Sequence, residues 1–68
     1  MQNKYFNEYE VAYITGLSVF TLRSWRSQSR GMPYVKVGAS IRYNIDDVEA
    51  FMHEHKINPE TIKVSLNI

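Results

Sequence analysis

The stretch NEYEVAYITGLSVFTLRSWRS, residues 7–27, constrains the fold most, because it has the pattern of two short helices joined by a tight turn. Asn7 is a good N-cap for the first helix, and Glu10, three residues later, can complete a capping box with it. Gly16 supplies the positive φ that often ends a helix, and Ser18 is a good N-cap for the second helix. Since a single residue separates Gly16 from Ser18, the two helices must cross steeply.

Small and apolar residues occupy positions that such a helical corner needs. Ala12 has a side chain small enough to let the two helices approach each other. Helical spacing places Trp25 on the same side as Leu22, so we assign both to the core. The residues expected to fill the corner are Ile14, Leu17, Leu22 and Trp25.

Charge is distributed unevenly along the chain, although the net charge is only +1. Residues 17–45 contain five basic residues and no acidic one, whereas residues 46–68 contain five acidic residues and two lysines. Because a solvated surface normally mixes both signs, the acid-free segment is typical of a surface that faces phosphate groups. This pattern favours a DNA-binding helix-turn-helix over an ordinary helical corner. The five basic residues are Arg23, Arg26, Arg30, Lys36 and Arg42.

Val19 and Phe20 lie away from the predicted core, at the start of the second helix. A phenylalanine left in water there is unfavourable. Two interpretations remain open: Phe20 makes apolar contact with thymine methyl groups in a major groove, or it folds back on Tyr9 or Tyr13 of the first helix.

Residues 34–43 have the alternating pattern of a β-hairpin, with Gly38 and Ala39 as a two-residue type II′ turn. A two-stranded ribbon is barely stable alone, so it must lean on the helices as a wing. We expect Lys36 and Arg42 on its outer face, close to whatever the second helix binds, although they could equally be ordinary solubilising residues. The inner face is expected to carry Val35, Val37, Ile41 and Tyr43.

A third helix is predicted after the hairpin, with Asn44 or Asp46 as its N-cap and Glu49 as a candidate for a capping box. Its acidic first turn suits the helix dipole and would repel phosphate, so we interpret it as a support helix. Asn58 and Pro59 should end it. Its apolar stripe is predicted to be Val48, Phe51, Met52 and His55.

The two ends of the chain are interpreted as accessory to a single winged domain of residues 1–56. Residues 1–5 are predicted to form a short, loosely held arm, from which Tyr5 and Phe6 could pack onto the core. Residues 57–68 are predicted to form a C-terminal tail in which Val64, Leu66 and Ile68 alternate with polar residues, like a lone strand. This tail could fray, pack on its own domain, or add to the sheet edge of a neighbouring copy.

Several function classes are not expected for this chain. Its 68 residues leave little room for a catalytic cleft and contain no nucleophile elbow or phosphate-binding glycine loop, so we expect no enzyme activity. There is no cysteine, and two histidines two residues apart, His53 and His55, cannot share one helical face, so we expect no metal and no cofactor. With no long apolar run or leader, the expectation is a cytoplasmic protein without membrane or small-molecule partners.

The segment GLSVFTLRSWR, followed by PYVKVG, RY and DDVEAFM, resembles the small winged helix-turn-helix proteins of the excisionase group. These share a DNA-binding fold with MerR regulators and AlpA-type phage activators. The resemblance covers residues 5–55 and implies a mostly α fold with a small β-hairpin, in which the second helix enters the major groove. It depends most on Gly16, Ser18, Thr21, Trp25, Pro33, Lys36, Gly38, Arg42, Tyr43 and Asp47.

The function that this resemblance implies is sequence-specific binding of double-stranded DNA. The expected role is an excisionase, or recombination directionality factor, of a mobile element; a small transcriptional regulator is the alternative, and a protein-binding adaptor a more distant one. The resemblance also implies a bacterial or phage-encoded protein associated with the nucleoid. Its implied partners are neighbouring copies of itself, head to tail on repeated sites, and a site-specific integrase.

Individual residues inherit expected roles from the same resemblance. Positions 20 and 24 would contact bases, and Arg23 would hold phosphate, but Phe20 and Ser24 stand where lambda-type excisionases have charged residues, so no target sequence can be transferred. The wing tip lacks an arginine, and Arg42 is the candidate substitute. The full expected DNA-binding set is Ser18, Val19, Phe20, Arg23, Ser24, Arg26, Ser27, Arg30, Lys36, Ser40 and Arg42.

Overall fold

The structure, a computed structural model, describes residues 4–59, which contain three α-helices and a three-stranded antiparallel sheet. The predicted strand at residues 63–68 lies outside the described residues. No helix within the described range is long and apolar enough to cross a membrane. In chain order the elements are β1 (Tyr5–Phe6), α1 (Glu8–Thr15), α2 (Val19–Ser27), β2 (Val35–Val37), β3 (Ser40–Asn44) and α3 (Ile45–Glu54).

The ends of α1 and the start of α2 lie where the sequence predicted them. The Asn7 side chain accepts from the Glu10 backbone N–H at 2.8 Å, and the Glu10 carboxylate accepts from the Asn7 backbone N–H at 2.9 Å, which completes the capping box. Gly16 ends α1 with φ +75°. The Ser18 hydroxyl accepts from the Thr21 backbone N–H at 3.2 Å, so α2 begins directly after it.

The core lies where the three helices meet β3. Trp25 packs against it partly buried, as expected, but Ile14 is 50% exposed, so its predicted place in the corner is wrong. Ile14 instead lines an open groove with Phe6 and Tyr13, whose side chain is 90% exposed. The fully buried residues are Val11, Leu22, Met32, Tyr43 and Val48.

The N-terminal segment is part of the sheet, so the prediction of a loosely held arm is wrong for the residues that the structure describes. Tyr5 and Phe6 pair with β3 as an antiparallel strand, and the Ile45 backbone N–H donates to the Lys4 carbonyl at 2.8 Å. The predicted two-stranded hairpin is thus a sheet of order β1-β3-β2. β3 is its central strand, and backbone groups on both of its edges obtain partners.

The turn between β2 and β3 forms as predicted, with φ +60° at Gly38 and no positive φ at the next residue, the pattern of a type II′ turn. It pairs Val35 with Arg42 and Lys36 with Ile41. Directly opposed residues of antiparallel strands project from the same face of the sheet. Arg42 therefore shares a face with Val35, and Lys36 shares the other face with Ile41. The prediction that Lys36 and Arg42 both lie on the outer face is wrong.

This register corrects the predicted faces of the hairpin. Val35 and Val37 are 42% and 68% exposed, so they do not share an inner face with Ile41 and Tyr43. A two-residue turn at this position opposes odd-numbered residues to even-numbered ones, which reverses the orientation of β2 relative to the expectation. Only β3 contributes side chains of the hairpin to the core, through Ile41 and Tyr43.

α3 begins after Asn44, whose side chain accepts a backbone N–H of the first turn at 2.8 Å; this decides between the two candidate caps. Val48 is buried and Phe51 packs against the core. The predicted apolar stripe is narrower than expected, since Met52 is 41% exposed and His55 is exposed beside Phe51. α3 thus supports the sheet through one face.

Candidate nucleic-acid interface

An exposed row of side chains runs along α2, opposite its buried residue Leu22. Phe20, Arg23, Ser24 and Ser27 are spaced three and four residues apart, so they lie on one face of the helix. Phe20 is 77% exposed. This agrees with the interpretation that its ring is available for contact with thymine methyl groups, and not with the one that folds it back on Tyr9 or Tyr13 of α1. Most of the expected α2 contacts are therefore available to a ligand from one direction.

Two hydroxyl groups expected at this surface already accept local hydrogen bonds. Ser18 caps α2, and the Ser24 hydroxyl accepts from the side-chain amide of Gln28 at 2.9 Å. A hydroxyl that accepts one hydrogen bond keeps its own O–H free to donate. Val19 is half-buried, which leaves it less accessible than its neighbour Phe20.

Two of the expected DNA-binding arginines are held by one carboxylate, Glu8, in the first turn of α1. Arg23 donates from Nε to both Glu8 oxygens at 3.1 and 3.2 Å and from Nη2 to one of them at 2.6 Å. Arg26 donates from Nη2 to the other oxygen at 2.8 Å, and from Nη1 to the Tyr43 hydroxyl at 2.7 Å. Tyr9 accepts from Arg23 Nη2 at 3.1 Å. We name these five residues the Glu8 cluster.

The members of the Glu8 cluster differ in accessibility. The side chains of Glu8 and Arg26 are only 15% and 16% exposed, whereas that of Arg23 is 45% exposed. Arg26 therefore joins α2 to both α1 and β3 from inside, whereas Arg23 joins α2 to α1 alone, at the surface. Of the two, Arg23 is the one that a ligand can reach.

The same contacts shift the ionisation of the cluster. The hydrogen bond from Arg23 lowers the pKa of Glu8 from its ordinary value of 4.5; the hydrogen bond from Arg26 adds to this, while burial acts in the opposite direction. Burial also opposes the charge of Arg26, but its bonds to Glu8 and Tyr43 outweigh that effect and raise its pKa. Glu8, Arg23 and Arg26 are thus all charged at neutral pH, and together they carry one net positive charge.

The other three basic residues expected to bind DNA are Arg30, Lys36 and Arg42. They form no salt bridge with any residue that the structure describes. Lys36 is exposed, Arg42 donates to the carbonyl of its own neighbour Ile41 at 2.8 Å, and the Arg30 guanidinium lies 5.8 Å from the centre of the Trp25 ring. These three side chains therefore keep most of their donors available.

The structure brings only some of the expected residues together. Ser40 and Arg42 lie across an open cleft from Arg26 and the start of α1, so the hairpin and α2 flank a common space. Arg30 lies elsewhere, in a second depression formed with Trp25, Phe51 and His55. Of the expected set, Arg30 is thus the residue least aligned with the exposed row on α2.

Sequence reasoning missed Glu8 and Tyr9 as parts of this surface. An acid in the first turn of a helix is already explained by the helix dipole, and no local pattern marks its pairing with arginines of the next helix. A cluster of three or more histidine, cysteine or acidic side chains that could hold a metal ion does not occur between residues 4 and 59.

Comparison with known proteins does not assign this chain to a family. No family model matches it, nor does any curated protein or solved structure.

Proposed function

We propose that this chain is a winged helix-turn-helix protein that binds double-stranded DNA in a sequence-specific manner. The observation that carries the proposal is the exposed row of Phe20, Arg23, Ser24 and Ser27 on α2, beside a hairpin whose cations have no acidic partner within residues 4–59. An α-helix with its side chains is about 10–12 Å across, which suits insertion of α2 into a major groove about 12 Å wide. In this arrangement α2 contacts base edges and the hairpin contacts the phosphate backbone.

Charge supports the same assignment. The acids that follow the hairpin, Asp46, Asp47 and Glu49, lie on α3, which packs on β3 and the shared core and meets α2 through Trp25, away from the exposed row on α2. The Glu8 cluster contributes one net positive charge, and Lys36 and Arg42, on opposite faces of the neighbouring hairpin, contribute two more. A surface of this sign attracts duplex DNA and loses affinity as salt rises.

Binding to a fluorescent duplex of about 20 base pairs, followed by anisotropy between about 50 and 200 mM salt, tests the proposal. We expect the logarithm of the affinity to fall with the logarithm of the salt concentration with a slope of about −2 to −4. Lys36→Gln should reduce the slope by about 0.9, whereas Lys56→Gln, which removes another exposed lysine after α3, should leave it unchanged. No binding at low salt, or equal effects of the two substitutions, would refute the assignment.

Within this class we propose the role of an excisionase, or recombination directionality factor, working with a site-specific integrase in the bacterial cytoplasm. The support is the resemblance of residues 5–55 to that group; a small transcriptional regulator of the same fold is the alternative. A footprint on the DNA that flanks the gene distinguishes the two. Protection beside a recombination junction supports the first role, and protection over a promoter supports the second.

A protein-binding adaptor is a second candidate, favoured by an exposed apolar surface on α1. Tyr13 and Tyr9 are 90% and 63% exposed, and with Phe6 and Ile14 they line an open groove. Contiguous exposed apolar side chains often mark protein contacts. An adaptor would give no anisotropy change with duplex DNA at any salt concentration, so the experiment above separates the two functions.

A further inference from the structure

Arg23 reaches the surface with most of its hydrogen-bonding capacity already used. A guanidinium has five N–H donors. Nε–H is shared between the two Glu8 oxygens, and Nη2 donates to Glu8 and to Tyr9. No residue between 4 and 59 accepts from Nη1. The Nε–Nη2 edge of the guanidinium, one of the two edges that can bind a phosphate through two parallel bonds, is therefore occupied by a carboxylate, and only Nη1 keeps both of its N–H donors for a ligand.

We propose that Glu8 is a specificity-determining residue that acts through Arg23 by limiting the affinity of this protein for DNA of arbitrary sequence. The inference rests on the proposed DNA-binding function and deepens it. Glu8 is a positioning residue in this role, since its own carboxylate faces the arginines and is only 15% exposed.

Two physical effects of the Glu8–Arg23 contact lead to this selectivity. First, the carboxylate neutralises part of the positive charge that attracts any phosphate. Second, a free arginine can follow a phosphate at many positions, which sustains sequence-independent binding, whereas a clamped one offers Nη1 at a single place. A phosphate reaches that place only when α2 lies at the correct position in the major groove of its target sequence. The clamp therefore penalises misaligned complexes more than the aligned one.

The first experiment compares Glu8→Gln with the wild-type protein on two probes. One probe is a pool of duplexes of random sequence, and the other is the duplex that the wild-type protein selects from that pool. We expect Glu8→Gln to bind the random pool about threefold more tightly or better, with a salt slope steeper by about 0.9, because the released Arg23 gains a phosphate contact. Affinity for the selected duplex should rise less, so that the ratio between the two probes falls.

Glu10→Gln is the matched control for this experiment. It removes the same charge from the same turn of α1, and glutamine preserves the capping box that Glu10 forms with Asn7. Its carboxylate contacts neither arginine, so we expect the ratio between the two probes to stay as in the wild-type protein. If Glu8→Gln and Glu10→Gln change the ratio between the two probes equally, the change is due to the loss of one negative charge and not to the contact with Arg23. That outcome would overturn the inference.

Circular dichroism shows whether Glu8→Gln folds. If it does not fold, a second pair of variants tests the inference. Arg23→Gln should weaken binding to the random pool less than Arg42→Gln does, because Arg42 is not held by an acid within the described residues. The reverse order overturns the inference. Wild-type protein that binds neither probe refutes the proposed function itself, whereas wild-type binding with an unchanged ratio in Glu8→Gln refutes only the role of Glu8.

Discussion

Gly31 shows how a single missing side chain supports the core. A Cβ added there would lie 2.7 and 2.8 Å from atoms of Trp25, and its φ of +91° also disfavours other residues. Trp25 cannot easily retreat, since its ring packs against Phe51 with 5.4 Å between centroids. The next residue, Met32, belongs to no helix or strand, yet it is buried in the core against which Trp25 packs.

The first prediction compares alanine at two glycines with positive φ. Gly31→Ala should lower the free energy of unfolding by about 2–4 kcal/mol, because backbone strain and overpacking add. Gly16→Ala should lower it by only about 1 kcal/mol, since open space surrounds its Cβ position. Urea denaturation measures both values. Equal losses at the two positions would show that the contact with Trp25 is not tight.

The second prediction concerns the pH dependence of the Glu8 cluster. Because the folded state lowers the pKa of Glu8, the cluster stabilises the fold fully above the ordinary value of 4.5, and this contribution is lost as pH falls through the depressed value. Unfolding free energies of the wild type and Glu8→Gln should therefore differ most near neutral pH and converge in acid. Urea denaturation between about pH 7 and pH 3 tests this. A difference that is independent of pH would contradict it.

At the scale of elements, α2 divides cleanly between a buried and an exposed side. Leu22 is 1% exposed and Phe20 is 77% exposed, although they are two residues apart. A helix rotates about 100° per residue, so this separation places the two side chains on opposite flanks. One side of α2 therefore packs on the core, and the opposite side is exposed to solvent.

The third prediction uses this division. Leu22→Ala should cost about 2–5 kcal/mol of stability, whereas Phe20→Ala should change it by less than about 0.5 kcal/mol. On the proposed function, Phe20→Ala and Ser24→Ala should instead change the preference among DNA sites by about 1–3 kcal/mol. Thermal denaturation and selection from random duplexes measure the two effects. A Phe20→Ala variant that melts much earlier and keeps its site preference would assign Phe20 to the core.

At the scale of the whole molecule, the domain presents one short helix to its proposed target. A single helix of this kind contacts only about four base pairs, too few to define a site in a genome. α3 ends at Glu54 after ten residues, and no described helix is long enough to form a coiled-coil dimer. On the proposed function, we therefore expect several copies to bind neighbouring sites.

The fourth prediction follows from this argument. The free protein should be a monomer by light scattering, and it should load head to tail on direct repeats, with affinity per site rising from one repeat to two and three. Gel-shift titration of duplexes that carry these repeat numbers measures the cooperativity. A stable dimer in solution, or equal affinity per site on every duplex, would exclude this assembly.

Local signals in the sequence were sufficient to predict the helix pair and the hairpin turn. The capping box of Asn7 and Glu10, the positive φ of Gly16, the cap at Ser18 and the turn at Gly38 all depend on atoms within about four residues along the chain. Such interactions are dictated by residue type and spacing, because the groups that they join are adjacent before the chain folds.

Other features were decided only by tertiary structure. The pairing of Tyr5 with Asn44, the contact of Glu8 with Arg23 and Arg26, and the burial of Met32 all join segments far apart in sequence. An acid in a first turn is satisfied equally by the helix dipole or by a distant arginine, so the sequence alone predicted five free cations where the folded chain holds two of them on one carboxylate. The physical reason is that long-range ion pairs and strand pairing depend on which surfaces the packed core brings together.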